Sequence, residues 1–496
     1  MGDSSRAALT FTWEKDFSPD LAFDATRADV LVTVCARADD EGAAGAAGAA
    51  GAPGSPPPGA EVFIMDRSLS MAGLGKLDEA KRAICAAIDA LRDGTLLGIV
   101  AGHHEATVVY PPDGRLVRVD AARKQEAKAH VAAQLTGGGT AIGAWLDCAR
   151  RLFETSTAPG TVRHAVLYTD GRDEHESPAE LDAVLAACTD RFTCDARGLG
   201  EDWNYRELHR ITEALHGTAA AVIDIADLTQ DFVHLVEKAQ SIVVPRVYLG
   251  LRINERLDLG FVQQTRPVQA DLTPRRPDRT EEIHIPLGAW SPGVRQYQIS
   301  LRFPFGALPV DEQLRAARLT LYSEPPDGRG RVPCAAVETL ILRRRSNPAF
   351  RIPVSTDFTR VETERELGMA MRACADAHQQ EDRARADREL RLALRLAEEL
   401  GDEQRLRLLR AVADTTSDGR VVVRPDVSRG AMQQLGLDST RTGPPPVDAV
   451  EQVVPAAAGE GPGRCPHCGS PLVSRAAHYC EQCGHRLDGG RAGTVG

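Results

Sequence analysis

Between Glu61 and Ile242 the chain alternates short apolar runs with longer amphipathic stretches. Val62 to Met65 is an apolar run that stops at Asp66, and after it Leu77, Ala80, Ile84, Ala87, Ile88 and Leu91 recur at helical spacing. That sequence of patterns predicts a buried strand followed by an amphipathic helix. Further strand-like runs fall at 96–101, 106–110, 165–168, 192–199 and 219–223, with helical stretches at 121–135, 141–153, 178–187, 204–215 and 228–242 between and after them. The alternation predicts a doubly wound, Rossmann-like parallel sheet over residues 61–243. Beyond 243 the texture changes to polar–apolar alternation at 246–253, 281–286, 295–303, 317–322 and 335–343, with Gly and Pro clusters between the runs. Residues 244–350 therefore read as an antiparallel β-sandwich. Two runs near the amino terminus, 8–13 and 30–35, are too few to form a stable unit alone. Residues 1–41 are accordingly assigned to the sandwich, which makes the doubly wound domain an insertion within it.

The remaining stretches connect or extend these domains. Residues 42–60, GAAGAAGAAGAPGSPPPGA, carry no charge and read as a flexible linker. Residues 360–414 place Leu390, Leu394, Ala397, Leu406, Leu409 and Val412 at helical spacing, with Gly401 as a stop and Asp402 as a start, and predict a small helical bundle. Residues 438–463, which include Pro444, Pro445 and Pro446, read as a second linker. The expected fold class is thus multidomain α/β.

Composition narrows the function. A chain of 496 residues is too long for a single core. A net charge of −11 and a pI near 5.7 argue against general affinity for nucleic acid or anionic lipid. The amino terminus lacks the basic and apolar regions of a secretory signal, and no run of eighteen apolar residues occurs, so a cytoplasmic protein without membrane insertion is expected. Richness in Ala, Arg, Gly and Asp points to a high-GC bacterial genome. Of the eleven cysteines, Cys35, Cys85, Cys148, Cys188, Cys194, Cys334 and Cys374 are scattered singly and read as buried thiols. His103 and His104 read as a solvated hairpin loop, because adjacent residues of an extended chain face opposite sides.

Chemistry concentrates at three loops. Asp66, Ser68 and Ser70 sit at alternate positions on the turn that ends the first buried strand, where open α/β sheets bind ligands. They offer hard oxygens suited to Mg2+ or Mn2+, although a plain capped turn needs no more than these residues. Gly137, Gly138, Gly139 and Thr140 precede a helical stretch, and the strand-like run 164–169 ends in Asp170 and Gly171. In this order and spacing the three loops, within roughly Ala60 to Gln240, resemble the metal-ion-dependent adhesion site of the von Willebrand factor type A family. The resemblance implies that Ser68 and Ser70 bind the metal directly, that Thr140 joins in the liganded form, and that Asp66 and Asp170 act through water. It also implies a sixth position left for an acidic side chain of a protein partner. Leu69 departs from the glycine that many members carry, which stiffens the turn and removes no ligand.

At the carboxyl end Cys465-Pro466-His467-Cys468 and Cys480-Glu481-Gln482-Cys483 are separated by eleven residues, enough for a short hairpin. Two such knuckles supply the tetrahedral sulfur shell that Zn2+ prefers, and with four cysteines closing the shell the zinc is structural. Residues 464–488 resemble the short zinc ribbons appended to many bacterial proteins. The expected function is a non-enzymatic adaptor that captures a partner's Asp or Glu through a divalent metal, with the zinc ribbon as a second contact. The residues leave two alternatives. One is a Mg2+-dependent phosphotransferase with Asp66 as nucleophile, which lacks the second acidic residue two positions on, where Ser68 stands. The other is a nucleic-acid contact through the ribbon, whose basic excess is small and whose aromatic residues number one, Tyr479.

Overall fold

The computed structural model describes residues 9–38, 57–73, 75–222, 227–274, 281–324, 330–351 and 355–442. A seven-stranded sheet has the spatial order Ala219–Val222, Thr193–Leu199, Val162–Thr169, Gly59–Asp66, Leu96–Gly102 and Ala106–Tyr110, with Val117–Arg118 paired to Leu96–Gly102. The first five are parallel, and Ala106–Tyr110 and Val117–Arg118 run antiparallel to Leu96–Gly102. Strand Gly59–Asp66 is the first of these in the chain. The path from it winds outward on one side and later returns to place Val162–Thr169 on its other side. The carboxyl ends of these two central strands therefore form the topological switch point, with Asp66 and Asp170 on neighbouring loops.

Alternation along the central strand explains why helices are needed on both faces. Val62 and Ile64 join a cluster with helices Ile142–Ser156, Pro178–Cys188 and Tyr205–Ala214, whereas Phe63 and Met65 join one with Lys76–Ala90, Ala121–Ala132 and Leu228–Gln240. At the amino ends of the strands, Glu61, His164 and Asp195 form a buried polar chain. His164 Nδ1 is 2.7 Å from Glu61 Oε1 and Nε2 is 2.9 Å from Asp195 Oδ2. This chain ties together the three adjacent strands, two of which lead to Asp66 and Asp170.

Two further sheets lie outside this domain. Leu9–Asp16 and Arg27–Ala38 extend a five-stranded sheet with Gly293–Arg302, Asp258–Arg266 and Ala270–Asp271. A six-stranded sheet contains Ile283–Trp290, Val244–Ile253, Gln313–Ser323, Glu338–Arg344 and Asp20–Leu21, with Val332–Pro333 paired to Gln313–Ser323. Val30, Val32 and Val34 of the first sheet and Leu249, Leu251, Leu319 and Leu321 of the second belong to one buried cluster.

Helices Thr356–Gln379, Arg383–Leu400 and Glu403–Val412 pack on one another, and their buried cluster is continuous with that of the doubly wound domain. Two elements carried too weak a pattern to be read: a hairpin of Ala413–Thr415 with Val421–Val423, and helix Arg429–Asp438. Ser428 caps that helix by accepting from Ala431 N at 3.1 Å. A Cβ on Gly436 would lie 2.7 Å from the Tyr205 ring, so this helix approaches closely at Gly436 while Met432, Leu435 and Leu437 enter the buried cluster. Residues 438–442, read from composition as the start of a linker, are instead held to the five-stranded sheet. Gln269 N donates to Thr440 O at 2.7 Å and Thr442 Oγ1 to Thr265 O at 2.7 Å. Backbone pairing of this kind leaves no mark in side-chain composition. Among the described residues, no helix is long and apolar enough to cross a membrane, and the seven cysteines described are free thiols.

Candidate metal centre

Asp66 ends its strand fully buried, and both of its carboxylate oxygens are engaged. Ser68 N donates to Oδ1 at 2.8 Å and Thr169 Oγ1 to Oδ2 at 2.6 Å. Burial pushes the Asp66 carboxyl up to about 6, against the opposing hydrogen bonds of Ser68 and Thr169. The turn then tightens into a single 3-10 turn, Leu69–Ala72, which brings the two serines together, Oγ to Oγ at 2.9 Å. Ser70 Oγ donates to Asp170 Oδ1 at 2.6 Å, and Lys76 Nζ lies 2.6 Å from Asp170 Oδ2. Asp66, Ser68, Ser70 and Asp170 are thus brought into one hydrogen-bonded array.

The second loop is fastened to the first by its backbone. Gly137 N donates to Arg67 O at 2.8 Å and Leu69 N to Gly138 O at 3.0 Å. Gly138 has φ +76, and a Cβ there would also meet His104, so glycine is required on both counts. Thr140 is buried, and its carbonyl accepts from Glu174 N and His175 N, each at 3.2 Å, which ties the second loop to the third. Its hydroxyl converges on the same space as Ser70: a Cβ built on Gly171 would be 3.1 Å from Thr140 Oγ1 and 3.7 Å from Ser70 Oγ. The structure therefore gathers all five residues singled out from the sequence.

The donor set fits a hard divalent cation. It supplies two carboxylates and three hydroxyls, all oxygen, around a space kept clear by Gly171. Among the described residues no three His, Cys, Asp or Glu side chains gather as a metal cluster. Cys465, Cys468, Cys480 and Cys483 lie outside the described residues.

Two members of the array were not found from the sequence. Thr169 closes the strand-like run 164–169 and Lys76 directly precedes the apolar positions at helical spacing, and nothing in their spacing signals a contact across about a hundred residues of chain. His103 and His104 do occupy a hairpin loop, with His103 N donating to Glu105 O at 2.9 Å. Their rings do not point apart, however. Their centroids are 4.3 Å apart, and His104 is 5.8 Å from His175, so the three rings wall the glycine loop. The turn ends the extended geometry on which the opposite-face argument depended.

Residues 61–221 match the family model described as von Willebrand factor type A domain. A solved structure of a von Willebrand factor type A protein from Catenulispora acidiphila is 30% identical, with a TM-score of 0.78 over 89% of this chain and 99% of that one. The ArnB paralog VWA2 from Sulfolobus acidocaldarius shares the fold at 14% identity and a TM-score of 0.50, over 87% of this chain and 98% of that one. No curated protein matches the chain in sequence. A matched domain that carries the three converging loops, and a 30% identical relative covered almost end to end, lead to one conclusion: the chain belongs to the von Willebrand factor type A family.

Proposed function

We propose that the protein is a non-enzymatic cytoplasmic adaptor whose type A domain captures a partner's Asp or Glu through Mg2+ or Mn2+ held by Asp66, Ser68, Ser70, Thr140 and Asp170. The observation that carries this reading is the convergence of Ser70 Oγ, Asp170 Oδ1 and Thr140 Oγ1 on the space beside Gly171. A bound cation would supply the positive charge that a carboxylate seeks. The protein's own groups fix where that charge sits. Thr169 and Ser68 hold the Asp66 carboxylate from both sides, Ser70 bridges Ser68 to Asp170, and Thr140 closes the side of the glycine loop. Hydroxyls contribute lone pairs without charge, so a cation in this shell would keep its attraction for an incoming anion.

No observation favours a nucleophilic role for Asp66, whose oxygens are both committed to fixed donors. In the same proposal Cys465, Cys468, Cys480 and Cys483 hold structural Zn2+ in a ribbon that provides the second contact, and the sheets around residues 1–41 and 244–350 form a sandwich that carries the inserted domain. The test is affinity capture from host lysate in Mg2+, comparing wild type with Asp66→Ala plus Ser68→Ala, read by mass spectrometry. A partner held by wild type and lost from the double variant supports the reading. Capture of the same partners by both proteins would rule out the metal clamp.

A further inference from the structure

Lys76 occupies a costly position. It is the first residue of helix Lys76–Ala90, where the unsatisfied N–H groups already make the local potential positive, so a lysine there opposes the helix dipole. It is also buried, at 9% exposure, which penalises an ammonium unless a partner compensates. The compensation is Asp170, wholly buried, 2.6 Å from the ammonium. The lysine stem is guided there over Gly200, where a Cβ would stand 3.6 Å from Lys76 Cε. Helix stability accounts for none of this. The side chain is spent on one carboxylate of the candidate metal centre.

We propose that Lys76 is a fixed counter-ion that weakens the site's hold on a bare divalent cation and reserves the site for the cation together with a partner carboxylate. The inference rests on the metal reading above and deepens it. Of the two carboxylates in the array, the Asp170 charge is balanced in advance by the ammonium on Oδ2, while Oδ1 faces the serines. A divalent cation placed against this array meets one uncompensated carboxylate, that of Asp66, and is repelled by the fixed charge behind Asp170. The same deficit leaves the pair of cation and protein more attractive to an added anion. Lys76 is therefore a positioning residue and contributes no ligand atom.

The test is Mn2+ titration of the zinc-loaded full chain, with free Mn2+ followed by electron paramagnetic resonance. Wild type, Lys76→Met and Lys76→Gln are compared, in chloride and with acetate as the carboxylate probe. Lys76→Gln keeps a hydrogen-bond donor toward Asp170 and carries the measurement where Lys76→Met fails to fold. Removing the charge is expected to tighten Mn2+ binding by about tenfold or more and to shrink the gain in Mn2+ affinity that acetate gives. A residue that serves structure alone predicts the opposite sign, because a loosened loop binds metal less well. Mn2+ bound by the Lys76 variants and not by wild type also supports the proposal. Unchanged or weaker Mn2+ binding in the variants, with wild type binding normally, overturns the role of Lys76 and leaves the metal centre standing. Mn2+ binding by none of them above the level of Asp66→Ala plus Ser68→Ala overturns both.

Discussion

His164→Phe removes the ring bridging Glu61 and Asp195 while keeping the core filled, and its effect on stability follows from the geometry. His164 is 2% exposed and lies within hydrogen-bonding distance of both carboxylates. Burial alone would pull its imidazole down, but the Glu61 charge and hydrogen bonds to Asp195 and Glu61 outweigh burial and raise it to about 10. Burial pushes Asp195 up, yet the His164 hydrogen bond and the Lys238 charge hold it well below the carboxylate range, while burial raises Glu61 from its ordinary value. The imidazole thus lies between two carboxylates, at 2.7 Å from one and 2.9 Å from the other. Raising an imidazole from 6.5 to about 10 corresponds to about 5 kcal/mol of stabilisation at pH values below 6.5. Breaking a buried pair by removing one partner costs about 3–5 kcal/mol, which agrees. The sign with pH is fixed: the folded protein keeps this proton where the unfolded chain has released it, so stability falls as pH rises from 6.5 toward 10. Urea unfolding of the full chain, followed by the emission of buried Trp145 and Trp203, measures both quantities. His164→Phe should lose about 3–5 kcal/mol near neutral pH and show a flatter decline toward alkaline pH than wild type. A loss below about 1 kcal/mol, together with no alkaline decline in wild type, would refute the reasoning.

Other outcomes follow from the candidate site and the carboxyl-terminal cysteines. Because burial raises the Asp66 carboxyl to about 6, protons compete with the cation below that pH; Mn2+ affinity should fall about tenfold for each further pH unit, and a flat profile down to about pH 5 would contradict this. Gly171→Ala places a Cβ 3.1 Å from Thr140 Oγ1 and should weaken Mn2+ binding several-fold while calorimetry shows a stability change within about 1 kcal/mol. Elemental analysis should find about one Zn2+ per chain in wild type and none in Cys465→Ser plus Cys480→Ser, whose zinc shell has lost half its thiolates.

The sequence by itself determined the α/β domain and which polar residues end its strands, because both depend on local periods. Val62 to Met65 reads as a two-sided buried strand, and that reading puts Asp66, Ser68 and Ser70 on the turn that ends it. Gly137 to Thr140 and Asp170 were readable for the same reason, since loop residues at strand ends are set by where apolar runs stop. What the tertiary structure alone decided are the contacts between distant segments. Thr169 on Asp66 and Lys76 on Asp170 join positions 103 and 94 residues apart, and no period links them. The Glu61–His164–Asp195 chain was equally hidden, because each residue looks like an ordinary polar end to a strand until strand order makes them neighbours. Helix Arg429–Asp438 is short, with polar Gln433 and Asp438 buried beside Met432, Leu435 and Leu437, and residues 438–442 are held by backbone hydrogen bonds, so hydrophobic patterning marks neither clearly. Local pattern sets which groups are available; sheet order and helix docking set which of them meet, because burial rewards contacts in space whatever their separation along the chain.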